Sequence, residues 1–198
     1  MVCMNWESLE GEVRELLSPQ RWAHVQGVTA GALELAGRFG AEPSLARLAA
    51  LLHDAARDRP AEALRREVAG SGMRLDPLEA GSVELLHAPV GAWWARQRWS
   101  VTEGSVLEAV RYHTTGRPAP SLLEMVLMVA DFTEPTRPFP QAQEVRQVAR
   151  DDLLQAWAMT LAFRIRWLLE QASPLHPRTV AAYNWAVAKL GGRVGYDG

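Results

Sequence analysis

The sequence predicts a single all-α domain. Three observations carry that reading. Apolar residues recur at helical spacing along most of the chain, Ser, Asp, Pro and Gly punctuate it where helix caps would fall, and no stretch alternates apolar and polar residues as a half-buried strand would. With 198 residues, 48% of them apolar, the chain can bury one substantial core.

Residues 6–17 place Trp6, Val13, Leu16 and Leu17 at helical spacing. Ser18-Pro19 then stops that helix and starts the next, with Ser as N-cap and Pro at the first helical position. The second helix runs to about Phe39 and ends at Gly40, and the third runs from Pro43 to about Arg57 through the apolar "LAALL". Asp58-Arg59-Pro60 restarts a helix that stops at Gly70-Ser71-Gly72, with Asp58 suited to capping it. Asp76-Pro77 opens a helical region reaching Trp99, with a break expected near Pro89. Thr102 caps a helix ending near His113, and "TTGRPAPS" is a loop. Ser121, with Glu124 three residues on, forms a capping box ahead of "LLEMVLMVAD". "EPTRPFP" is a Pro-rich turn, and helices over 141–172 (with a break) and 177–190 fill the C-terminus.

The net charge of −2 provides no bulk basic field for nucleic acid or an acidic membrane. No charge-free apolar run approaches the length of a membrane span, and "MVCMNWESLEGEV" lacks the basic start and apolar stretch of a signal peptide. Cys3 is the only cysteine, so no internal disulfide forms, which fits a cytoplasmic protein. Neither nucleic acid nor membrane is expected as a partner.

Several polar residues sit where their neighbours ask for a core. His24 shares a helical stripe with Val28, Gly31 and Leu35, His53 follows "LAALL", His87 follows "VELL", and His113 follows the stripe of Val106, Leu107 and Val110. Asp54 extends the buried helix beside His53, and Asp131 ends "MVLMVA". His176, in "SPLHPR", reads as an ordinary surface residue. An isolated buried carboxylate is protonated, paired or bound to a metal. Any one of the six buried positions is more readily a hydrogen-bonded core or cap residue than a ligand. Six in one small helical chain point to a metal site.

Imidazole with carboxylate suits iron, zinc or manganese, and the absence of thiolates sets aside a finger-type zinc site. Six ligands exceed what one catalytic zinc needs, whereas two cations about 3.5–4 Å apart, bridged by one carboxylate, would use them all. Glu84 and His87 make a single E-x-x-H, where di-iron carboxylate bundles need two, and there is no P-loop. Trp93, Trp94 and Trp99 read as core or interface, with a wall near a nucleotide as the alternative. Trp157, Phe163 and Trp167 read as packing, with a homodimer contact as the alternative.

Taken in order, "RWAHVQGV", "LLHDAARD", "LLHAPVGAWW", "AVRYHTTGR" and "LMVADFTEPTRPFP" resemble an HD-domain phosphohydrolase. More narrowly, they resemble the YqeK-type family, the symmetrical diadenosine tetraphosphate hydrolases of bacteria. The likeness spans about residues 18–160. The pair "HD" is weak by itself, the ordered set H…HD…H…H…D is specific for a two-metal HD site, and "YHTTGR" with "ADFTEPTRPFP" narrows the family. The resemblance implies a single HD-domain helical bundle over 18–140, preceded by an N-terminal helix (1–17) and followed by C-terminal helices (141–198) packed on the core.

By the same resemblance, His24, His53, Asp54 and Asp131 hold one divalent cation, and His87, His113 and a bridging Asp54 hold a second. Iron is the expected metal, with manganese or another divalent ion as alternative. His53, Asp54, Arg57 and Asp58 are the expected catalytic residues, with Asp58 orienting water or a ligand. Arg21, Arg57, Arg137, Thr114, Thr115 and Gly116 are the expected substrate contacts. Water acidified by metal from a pKa of about 15.7 to about 7 would attack an inner phosphorus and release two ADP. The family usually carries Lys three residues after the HD aspartate, and Arg57 stands there in a chain whose only lysine is Lys189. A guanidinium keeps the charge and can fork onto phosphate, but it does not donate a proton near neutral pH. Hydrolysis of a deoxynucleoside triphosphate or a guanosine polyphosphate, and nucleotide sensing without turnover, are the competing readings.

Overall fold

A computed structural model describes residues 5–192 and 194; Cys3, Met1 and Met4 lie outside them. Among the described residues the chain forms eleven α-helices and no strand. They are α1 (Trp6–Glu15), α2 (Pro19–Phe39), α3 (Pro43–Leu52), α4 (Ala61–Ser71), α5 (Pro77–Gly81), α6 (Val83–Arg98), α7 (Gly104–Tyr112), α8 (Leu122–Thr133), α9 (Pro140–Val148), α10 (Leu153–Glu170) and α11 (Pro177–Lys189).

Local signals set many of the boundaries. The Ser18 side chain accepts the Arg21 N–H, with Pro19 in the first turn, and Gly40 closes α2 at φ 76°. Both reciprocal bonds of the Ser121–Glu124 capping box are present at α8. The break expected within 141–172 falls between α9 and α10, where Asp152 caps α10 through the Gln155 N–H.

Other boundaries differ from the sequence expectation. The third helix ends at Leu52, not near Arg57. His53 Nδ1 lies 2.7 Å from the Ala50 carbonyl oxygen, the acceptor that the Asp54 N–H would need to continue the helix. The chain then runs in tight turns, with Arg57 N–H donating to the Asp54 carbonyl. α7 ends the same way, with His113 Nδ1 2.8 Å from the Val110 carbonyl oxygen. The break in 77–99 is at Ser82, which is extended at φ −111°, while Pro89 stays inside α6. Burial of Leu86, Ala88, Val90, Trp94 and Ala95 along that helix outweighs the penalty of an internal proline. Glu103, not Thr102, is the N-cap of α7. Asp58 does not cap α4, whose N-cap is Pro60; its Oδ2 accepts the Ser18 N–H at 2.8 Å instead.

α2 packs on α3 and α8, α3 on α7, and α7 on α6 and α8. α10 lies on α8, flanked by α9 and α11, and α4 covers α6. One hydrophobic core runs from Leu9 and Val13 to Ala182 and Ala186, and a smaller one joins Ala56, Leu64, Leu86, Val90 and Trp94. No helix among the described residues is long and apolar enough to cross a membrane. Trp94 and Trp157 are core residues as expected, whereas Trp167 is 59% exposed. His176 is buried, contrary to its surface reading, because its Nδ1 accepts the Arg178 N–H and turns the ring inward at the start of α11.

Candidate metal centre

The bundle brings His24, His53, Asp54, His87, His113 and Asp131 together from α2, the ends of α3 and α7, and the interiors of α6 and α8, and all six are buried. Asp54 stands at the centre. Its Oδ2 faces His53 Nε2 at 3.6 Å and His24 Nε2 at 3.7 Å, and its Oδ1 faces His87 Nε2 at 3.2 Å and His113 Nε2 at 3.7 Å. Asp131 Oδ1 closes the first group, 3.2 Å from His24 Nε2. In the second group His87 Nε2 and His113 Nε2 are 3.1 Å apart. Ligand bonds of about 2.0–2.2 Å place neighbouring ligand atoms about 3–3.5 Å apart around one cation, and these spacings are close to that.

Ring orientation supports the same chemistry. His53 and His113 each direct Nδ1 to a backbone carbonyl, so each Nδ1 carries the proton and each Nε2 presents a lone pair to the cluster. His24 Nδ1 lies 3.2 Å from Glu134 Oε1, which orients its Nε2 in the same way. His24 Nε2 and His53 Nε2 are buried without a hydrogen-bond partner. Lone pairs of neutral imidazoles facing carboxylate oxygens repel unless a proton or cation lies between them. Two overlapping sets, His24–His53–Asp131 and His53–Asp54–His113, each bring donor atoms within 4.8 Å of one another and could hold a metal ion.

At His53, His87, Asp54 and Asp131 the electrostatics favour the ligand-ready protonation state. Complete burial outweighs the neighbouring carboxylates at His53 and pushes its pKa down to about 4, so the ring is neutral at pH 7. Burial also lowers His87 against the pull of Asp54. For Asp54, burial alone would favour the acid, but His53, His113 and His87 outweigh it and keep the carboxylate ionised well below its ordinary value. Asp131 is likewise lowered, with His24, His53 and Arg137 overcoming its burial. His24 is raised, because Asp131, Glu134 and Asp54 together outweigh its burial.

A cleft of about 1280 Å³ opens over the cluster. Arg21, Arg57, Thr114, Thr115 and Arg137 line it. Arg21 Nη1 is 3.0 Å from Asp54 Oδ2, and Arg137 Nη2 is 3.1 Å from Asp131 Oδ1. The Thr115 hydroxyl donates to the Gly116 carbonyl at 3.0 Å. Gly116 does not line the cleft. It turns at φ 65°, and a Cβ there would sit 3.3 Å from Leu161 and Met128, so it shapes the loop and packs inward. Asp58 also stands back from the cleft, holding Ser18 and lying 3.8 Å from Arg21 Nε.

Two residues at the site carried no local sequence signal. Arg164 Nη1 donates to the carbonyls of His113 and Thr114, and its Nη2 is 4.0 Å from Asp131 Oδ2. Glu134 lies in "EPTRPFP", a family-marking segment in which the sequence gives it no role of its own, yet it is 2% exposed beneath His24. Phe132, Phe139, Phe163 and the exposed Trp167 supply aromatic faces to the cleft.

The sequence profile of the HD domain matches residues 21–136. A symmetrical bis(5'-nucleosyl)-tetraphosphatase of Bacillus subtilis is 40% identical over 185 residues, covering 93% of this chain and 99% of that protein. The protein of the same name from Halalkalibacterium halodurans is 40% identical over 172 residues, 87% of this chain and 91% of its own. The crystal structure of a predicted HD superfamily hydrolase involved in NAD metabolism, from Clostridium acetobutylicum, is similar with a TM-score of 0.90 at 31% identity, covering 94% of this chain and 98% of that one.

Proposed function

The chain belongs to the HD-domain family, and from that premise we propose that it hydrolyses diadenosine tetraphosphate and related dinucleoside polyphosphates symmetrically, giving two ADP. Two relatives of that activity, each 40% identical over most of the chain, support the substrate class. The observation that carries the reading is the division of the Asp54 carboxylate, one oxygen toward His24 and His53 and the other toward His87 and His113. On that basis two divalent cations are assigned, one to His24, His53, Asp131 and Asp54 Oδ2, the other to His87, His113 and Asp54 Oδ1. Iron is our assignment and manganese the alternative, since imidazole and carboxylate accommodate both. When bound, such ions acidify water and offset charge on phosphate oxygens.

The chain's own residues do the rest. Arg21 and Arg137, each in contact with a carboxylate of the cluster, hold guanidinium charge beside it, and Arg57 adds a third from the cleft wall. Each presents a planar fork suited to phosphate oxygens. Thr114 offers a hydroxyl for phosphate or ribose at the same wall. The cleft exceeds the roughly 300–1,000 Å³ usual for small-molecule sites, which leaves room for a dinucleotide. Water oxygen becomes bonded to one inner phosphorus, the bond from that phosphorus to the central bridging oxygen breaks, and ADP leaves with that oxygen. A second ADP, carrying the water oxygen, remains.

Chromatography of the products from diadenosine tetraphosphate, with protein loaded anaerobically with Fe(II) or with Mn(II), tests this. ADP alone is expected. AMP with ATP would overturn the symmetrical cut, and tight nucleotide binding without turnover under either metal would replace the enzyme with a sensor.

A further inference from the structure

Glu134 lies among the most buried carboxylates of the chain, and each of its side-chain oxygens is used. Oε1 receives His24 Nδ1 at 3.2 Å and the Thr136 hydroxyl, and Oε2 accepts the Thr136 N–H at 2.8 Å. Arg137 Nε stands 3.8 Å from Oε1. The carboxylate therefore has a fixed place in the turn after α8, and from there it reaches one imidazole of the cluster. The other three imidazoles lack such a partner: His53 and His113 meet neutral carbonyls, and His87 Nδ1 has no hydrogen-bond partner.

The opposing helix is built around this carboxylate. Gly27 lies within α2, where glycine is a markedly poorer helix former than alanine. A Cβ there would come within 2.8 Å of Glu134 Oε2 and 3.4 Å of Pro135 Cδ. The helix therefore gives up propensity at a turn where a methyl group would displace the carboxylate from His24.

We infer that Glu134, seated by Thr136 and by the missing side chain at Gly27, is a positioning residue that fixes the His24 ring and strengthens it as a ligand for the cation on the His24–His53–Asp131 side only. This rests on the two-cation reading above. An anionic partner on Nδ1 holds a proton there, fixes the tautomer that turns Nε2 to the cluster and raises the basicity of Nε2 as a donor; outer partners of this kind are typically worth about 10–100-fold in metal affinity. The effect is confined to one side because Glu134 touches none of His53, His87 or His113 among its hydrogen bonds.

The test is titration of metal-free protein with Mn(II), by calorimetry and by metal analysis after gel filtration, for wild type, Glu134→Gln and Gly27→Ala. The second variant leaves every polar group intact and raises helix propensity, so it reports on carboxylate placement even if Glu134→Gln folds poorly. In both variants one of two Mn(II) ions should weaken about 10–100-fold while the other holds its affinity. Turnover at low Mn(II) should fall and return at saturating Mn(II), with KM for diadenosine tetraphosphate unchanged. Equal weakening of both ions, or of neither, overturns the assignment. If wild type binds a single ion, the two-cation reading fails separately, and Glu134 is then judged by whether that one ion weakens.

Discussion

Asp54→Asn probes the centre most directly. The side chain keeps its shape but loses its charge, and one of the two oxygens that face four imidazoles at 3.2–3.7 Å becomes an NH2. Both proposed cation positions therefore lose a shared anionic ligand. If each weakens at least as much as when an outer partner is lost, about 10–100-fold, joint occupancy falls by about 10²–10⁴. At about 1.36 kcal/mol per decade that is about 3–5 kcal/mol. Turnover should fall by the same factor at a fixed, subsaturating metal concentration. Metal content after gel filtration and ADP release followed by chromatography give the two numbers, with circular dichroism to verify that helicity persists. An Asp54→Asn variant that kept two cations per chain, or more than a tenth of wild-type turnover, would refute the bridging role.

Other outcomes follow from the same geometry. His53 has a folded pKa of about 4 against an ordinary 6.5, so between those values the unfolded chain binds a proton that the folded metal-free protein refuses. Stability conferred by the neutral ring is therefore complete above pH 6.5 and is lost as pH falls toward 4, by about 3 kcal/mol. In urea titrations of metal-free protein, the pH slope in that window should be shallower for His53→Gln than for wild type; equal slopes contradict it. Gly116→Ala forces a side chain into a left-handed position, costing about 1–2 kcal/mol. It also presses on Leu161, Met128 and Trp157, for about 1–3 kcal/mol more. For a chain of this size the melting temperature should drop by roughly 5–15 °C, and an unchanged Tm would show that the loop relaxes. Arg57→Lys keeps positive charge on the cleft wall and should retain turnover, whereas a collapse in kcat/KM would show that the planar fork itself is required.

The all-α class was legible because helix signals are local. Caps such as Ser18, Gly40 and the Ser121–Glu124 box bond within a few residues of themselves, so the sequence carries both partners. The metal-site candidates were legible for a related reason: polar residues on apolar faces announce that something else satisfies them. Gly116 misled for the opposite reason. A glycine after "YHTT" suits close approach to phosphate, and only the positions of Met128 and Leu161 show that it faces the core. His176 misled in the same way, since the Arg178 N–H that turns it inward belongs to a cap and not to an apolar stripe.

Helix order, the apolar stripes and the six unusual polar positions were thus set by short-range chemistry and could be read one residue at a time. The split of Asp54 between two pairs of imidazoles could not, because it depends on how α2, α6, α7 and α8 cross around the end of α3. Glu134 beneath His24, 110 residues away in the chain, is of the same kind. Contacts of that separation are fixed by which faces the whole core buries, and no local pattern encodes them.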